Sequence, residues 1–62
     1  MNDKQRKRLL KVKLVIEEIL YEEQDKLDNL PESLQYGKTG EDIEEAMQWL
    51  EEARDCLNEV GV

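Results

Sequence analysis

The chain has no histidine, no phenylalanine, one cysteine and one proline among its 62 residues, and each shortage removes a class of protein. Without His, zinc sites of mixed Cys and His ligands cannot form, and the carboxylate di-iron bundles lose their Glu-x-x-His pair. No imidazole is present to take a proton from Ser33 or Cys56, so neither has an evident activating base. Cys56 cannot make an internal disulfide, and a lone free thiol suits a reducing cytoplasm. No apolar run approaches the ~18 residues that a membrane span needs. The start, "MNDKQRKRLLKVKLVIEEIL", imitates a signal peptide, but Lys11, Lys13, Glu17 and Glu18 interrupt the apolar stretch and no small-residue cleavage site follows. Together these shortages predict a soluble protein without metal or cofactor.

Charged residues make up 40% of the chain, a composition that resembles disorder until the apolar residues are placed. Leu9, Val12, Ile16, Ile19, Leu20, Leu27 and Leu30 recur at helical spacing and predict helix one over about residues 3–29. The stripe weakens across "EEQDK", Glu22 to Lys26, where the helix either outruns its partner or begins to kink. Ile43, Ala46, Met47, Leu50, Ala53, Leu57 and Val60 predict helix two over about 40–60, with Thr39 as its cap and Gly61 as its stop. Between them Pro31 withholds a donor and disfavours helical geometry at Leu30, so helix one ends near Asn29. Pro31 to Tyr36 then suits a short helical turn of about 31–36, with Gly37 and Gly40 bracketing a mobile corner. The expected fold is all-α, an antiparallel helical hairpin forming one domain over residues 1–62. A core in so short a chain supplies only ~3–5 kcal/mol, and with disulfides and metals removed, dimerisation into a four-helix bundle is the remaining support.

The net charge of −7 conceals a division. Residues 1–13 hold six basic side chains against Asp3, a balance of +5, which leaves three basic and fifteen acidic residues, or −12, for residues 14–62. Basic residues at the start of helix one and Asp55 and Glu59 at the end of helix two each oppose a helix dipole. An antiparallel hairpin, or an antiparallel dimer, sets the two clusters side by side and relieves both. The functional reading of Lys4, Arg6, Lys7, Arg8 and Lys11 is a nucleic-acid contact. The acidic remainder of the chain and the lack of interleaved aromatics oppose it. The acidic surface is either a solvated face or a mimic of a phosphate backbone that blocks a nucleic-acid enzyme.

Glu41, Glu44 and Glu45, then Glu52 and Asp55, carry the E-x-x-E and E-x-x-D spacings of helical nucleotide pyrophosphatases. Such enzymes gather ligands from several helices around a cleft, whereas these carboxylates belong to one helix opposite its oily stripe. We expect solvated glutamates and no enzyme. Trp49, Ala53 and Cys56 widen the apolar face of helix two, and they either pack on helix one or meet a second chain, where Trp often anchors contacts. Leu34 and Tyr36, in the connection, either cap the hairpin's end or form a presented binding site.

The stretch "EEQDKLDNLPESLQYGKTGEDIEEAMQWLEEARDCLNE" resembles a group of small, mostly uncharacterised helical proteins encoded by bacteriophages and prophages. The shared features are an acidic helix end at Glu22 and Glu23, an Asn-x-Pro-Glu-Ser-Leu-Gln connection over Asn29 and Pro31 to Gln35, and a Glu-rich second helix at Glu44 to Ala46 and Leu50 to Ala53. At "YGKTG", where those proteins more often carry Ser-Glu-Arg, the sequence departs from the pattern. The resemblance implies a viral or prophage origin and a location in the host bacterial cytoplasm, and it carries no reaction with it. The combined expectation is a non-catalytic, homodimeric interaction protein with a host or viral protein partner, an inhibitor of an antiviral defence or nucleic-acid enzyme being the kind in view. The alternative is a small nucleic-acid-binding regulator acting through its basic first helix.

Overall fold

The computed structural model describes residues 1–62 as three helices and no strand: α1 (Asp3–Asp28), α2 (Glu32–Gln35) and α3 (Lys38–Val60). Helix α1 starts at a capping box that the sequence reading missed. The Asn2 side chain accepts from the Gln5 amide at 2.9 Å, and the Gln5 side chain accepts from the Asn2 amide at 3.0 Å, satisfying two of the orphan donors of the first turn. The helix ends at Asp28 with Asn29 as its cap, two residues before Pro31, as the proline requires. It runs without interruption through Glu22–Lys26, and Gln24 and Leu27 share a cleft with Glu44, Met47 and Gln48 of α3, so an overrun does not explain the thin stripe there.

The explanation is a charged residue in the packing seam. The least exposed positions along α1 and just past its end are Leu9, Lys13, Ile16, Leu20, Glu23, Leu27 and Leu30, with Glu17 beside them. Those seven alternate steps of four and three, the repeat of two helices packed along their length. On α3 the matching positions are Gly40, Ile43, Met47, Leu50, Arg54 and Leu57. The seam therefore takes Lys13, Glu23 and Arg54 by their alkyl stems, while Val12, Ile19, Ala46, Ala53 and Val60, expected to face the partner helix, are exposed. A stripe drawn by hydrophobicity alone was rotated away from the true contact. Lys13 nevertheless earns its position, since its ammonium donates to the Val62 carbonyl at 2.8 Å.

The hairpin is antiparallel, as expected, but the facing charge clusters do not pair. The ion pairs present are Lys26 to Glu23 at 2.9 Å and Arg54 to Asp55 at 3.4 Å, each within one helix. Only the very start of α1 runs past the end of α3, because Arg6, Lys7 and Leu10 already line one cleft with Gly61 and Val62.

The corner differs from expectation as well. Gly37, not Thr39, caps α3, with no side-chain hydrogen bond, and Thr39 and Gly40 lie inside the first turn. Gly40 is buried, and a Cβ there would overlap the Gln35 carbonyl oxygen and stand 2.7 Å from its carbon. The corner is thus a close backbone crossing that only glycine allows. Gly61 ends α3 as expected, in the left-handed conformation at φ 95°.

Very little is enclosed. Leu20, 8% exposed, is the one buried hydrophobic residue. The accessible surface is 4942 Å², against about 4,200 Å² for a compact chain of 7.3 kDa. The radius of gyration is 14.4 Å, against roughly 11 Å for a compact domain of this length.

Candidate functional site

Each long helix carries a second apolar run with the spacing of a packing seam and nothing packed on it. On α3 it is Ala46, Trp49, Ala53, Cys56 and Val60, in steps of three, four, three and four, all exposed, with Trp49 at 60%. On α1 it is Val12, Val15 and Ile19, in steps of three and four, with Val15 at 51%. Period-3.6 geometry gives one helix two such runs when its apolar arc is wider than one neighbour covers.

The two runs lie on the same side of the hairpin. The cleft lined by Glu17, Tyr21 and Gln24 of α1 and Met47, Glu51 and Arg54 of α3 marks one side. Val12, Val15 and Ile19 are displaced from the α1 seam in the opposite sense, and Trp49, Ala53 and Cys56 from the α3 seam likewise. Both runs therefore turn to the other side. They also stand level. Leu10 shares a cleft with Gly61, and Leu27 shares one with Glu44, which sets Val12, Val15 and Ile19 beside Val60, Cys56 and Ala53. One continuous apolar face results, with Trp49 at its edge toward the connection.

Trp49, Ala53 and Cys56 consequently do not pack on helix one, which removes the first of their two expected roles. Sequence reasoning named these three but assigned Val12 and Ile19 to the core and missed Val15. The signal was available as a doubled heptad, two interleaved sets of three-and-four steps on each helix.

At the connection, the work of closing the hairpin falls to Gln35. Its side-chain amide donates to the Leu30 carbonyl at 3.0 Å and, at 3.3 Å, to the Leu27 carbonyl, which also accepts from the Leu30 amide. Its backbone is what Gly40 packs against. Leu34 and Tyr36, on either side, are exposed, Tyr36 at 81%. They do not plug the end of the hairpin.

Lys4, Arg6, Lys7, Arg8 and Lys11 are all exposed and in no ion pair. Lys4, Lys7, Arg8 and Lys11 follow one helical stripe, while Arg6 turns toward the other side. Lys26 lies one turn from Glu23 on α1 and pairs with it at 2.9 Å. The hydrogen bond from its ammonium to Glu23 and the Glu23 charge hold it above the usual lysine range. The carboxylates of the E-x-x-E spacings stay on the surface of α3, and no three His, Cys, Asp or Glu side chains come together as a metal site would require. No helix is long and apolar enough to cross a membrane. No family model, curated protein or solved structure matches the chain.

Proposed function

We propose that the protein is a non-catalytic protein–protein interaction module that dimerises into a four-helix bundle. As a phage or prophage product in the bacterial host cytoplasm, it inhibits a host protein such as an antiviral-defence or nucleic-acid enzyme. The observation that carries the interaction reading is the exposed apolar face of Val12, Val15, Ile19, Trp49, Ala53, Cys56 and Val60. Scattered apolar residues are ordinary on a surface, but a level, contiguous face of this size marks a contact. The excess surface over a compact chain is roughly 800 Å², about what one partner contributes to a standard interface. The phage origin rests on the resemblance of the Asn29–Gln35 connection alone.

With the face covered by a second copy, Leu34 and Tyr36 remain exposed at the connection, held in place by Gln35 between them. They are the contact for the outside partner. Two measurements test the two parts. Sedimentation should give a dimer that Trp49→Asp converts to monomer; a wild-type monomer at high concentration removes the bundle. Affinity capture from host lysate should recover a specific protein that a Leu34→Asp/Tyr36→Asp variant loses. Recovery of no specific protein removes the inhibitor reading.

A second reading, a nucleic-acid-binding regulator, is favoured by the unpaired stripe of Lys4, Lys7, Arg8 and Lys11. Binding of a DNA duplex that weakens steeply with salt would support it, and a flat mobility-shift titration at low salt would remove it.

A further inference from the structure

The exposed stripe that begins with the basic residues does not stop at Lys11. Continuing in steps of three and four it reads Val15, Glu18, Glu22 and Asp25, all exposed. One flank of α1 is therefore basic for its first half and acidic for its second, with Val15 between. The midpoint of α1, Asp3–Asp28, falls at Val15 and Ile16, and so does the midpoint of its apolar run Val12–Ile19. Neither half of this stripe has a partner in α3: the ion pairs of the hairpin use Lys26, Glu23, Arg54 and Asp55.

We infer that the apolar face is covered by a second copy turned end for end, so that α1 lies antiparallel on the partner's α1 about a two-fold axis at Val15. Lys7, Arg8 and Lys11 of each chain then rest against the acidic half of the other chain's stripe. This rests on the dimer reading above and specifies which of its two geometries holds. Stacking two such faces about a two-fold axis leaves two choices. With both connections at one end, α1 covers the partner's α3: each basic start then meets the partner's Asp55 and Glu59, but Glu18, Glu22 and Asp25 lie over the glutamate-rich body of that helix and like charges crowd there. With the connections at opposite ends, every basic start meets an acidic half. The start of α1, which in the single hairpin meets only Gly61 and Val62, lies along the partner over its full length. Exposed ion pairs contribute little to affinity singly, but like charges in apposition select strongly between geometries.

The test uses position and charge separately, with sedimentation reporting the oligomer in each case. In a Cys56→Ser background, Val15→Cys should give a covalent dimer on oxidation, whereas Tyr21→Cys, on the opposite side, should not. Lys7→Glu/Arg8→Glu/Lys11→Glu should weaken dimerisation on the order of tenfold at low salt, and Glu18→Lys/Glu22→Lys/Asp25→Lys likewise. An equimolar mixture of the two variants should restore dimers, now as heterodimers, to near wild-type strength. Wild-type dimers that fail to cross-link through residue 15 and ignore both charge reversals overturn the end-for-end geometry and leave the bundle standing. A wild-type monomer overturns both. If the basic-to-acidic variant dimerises like wild type but loses a salt-sensitive grip on duplex DNA, the stripe serves phosphate and the inference is wrong.

Discussion

The two ends of the hairpin are built on opposite principles. At the closed end the backbone is answered within the chain, Gly40 by the Gln35 backbone, the Gln35 amide by the carbonyls of Leu27 and Leu30, and Pro31 by the stop at Asp28, and the large apolar side chains left exposed are Leu34 and Tyr36. At the open end Lys4, Lys7, Arg8 and Lys11 have no intramolecular partner, and Val12 and Val15 are half exposed. A closed end of this kind folds by itself. The open end leaves its charges and its apolar face unpaired within the chain, so if a second copy covers them, variants at the two ends should differ in whether their cost depends on protein concentration.

The largest effect belongs to the closed end. Gly40→Ala should cost on the order of 3 kcal/mol in urea unfolding, because the added methyl meets backbone that cannot step aside, and this outweighs the gain in helix propensity. An Ala variant as stable as wild type would mean the crossing is loose. Leu20→Ala, at the level of the seam between the two ends, should cost about 2 kcal/mol, the low end for a leucine, since its neighbours are already partly solvated. Gln35→Ala should cost about 1 kcal/mol, two net hydrogen bonds of which one is long, and the same at every protein concentration. At the open end Asn2→Ala removes the capping box and should cost about 0.5–1 kcal/mol. If a second copy holds the first turns of α1, that cost should be larger in concentrated than in dilute solution, since a fraying end forfeits only part of the cap's contribution and a clamped end forfeits all of it. Equal cost in dilute and concentrated solution would show that the open end stands free.

The helix stops and the restart were legible because they depend on backbone chemistry carried by single residues. Pro31 ends helix one from any context, and Gly61 accepts the left-handed conformation without a tertiary contact. The seam was harder to read. Hydrophobicity alone placed Val12, Ile19, Ala46, Ala53 and Val60 inward, whereas the helices meet through Lys13, Glu23 and Arg54, whose stems are apolar although their ends are charged. A capping box at Asn2 and Gln5 is written in the sequence but is easily passed over, since Gln at the third position is less familiar than Glu. The role of Gln35 was not readable, because it depends on where the carbonyls of Leu27 and Leu30 come to rest.

By itself, then, the sequence determined two long amphipathic helices, a proline-marked turn between them and an excess of apolar positions over what one hairpin can bury. Those properties follow from periodicity and local backbone preference, which act over a few residues. Only the tertiary structure decided which arc of each helix faces its neighbour. The contact is chosen by the whole length of two helices packing in register, and one rotation serves every seam position of α1 at once. That choice left Val12, Val15, Ile19, Trp49, Ala53 and Cys56 together on one outer side.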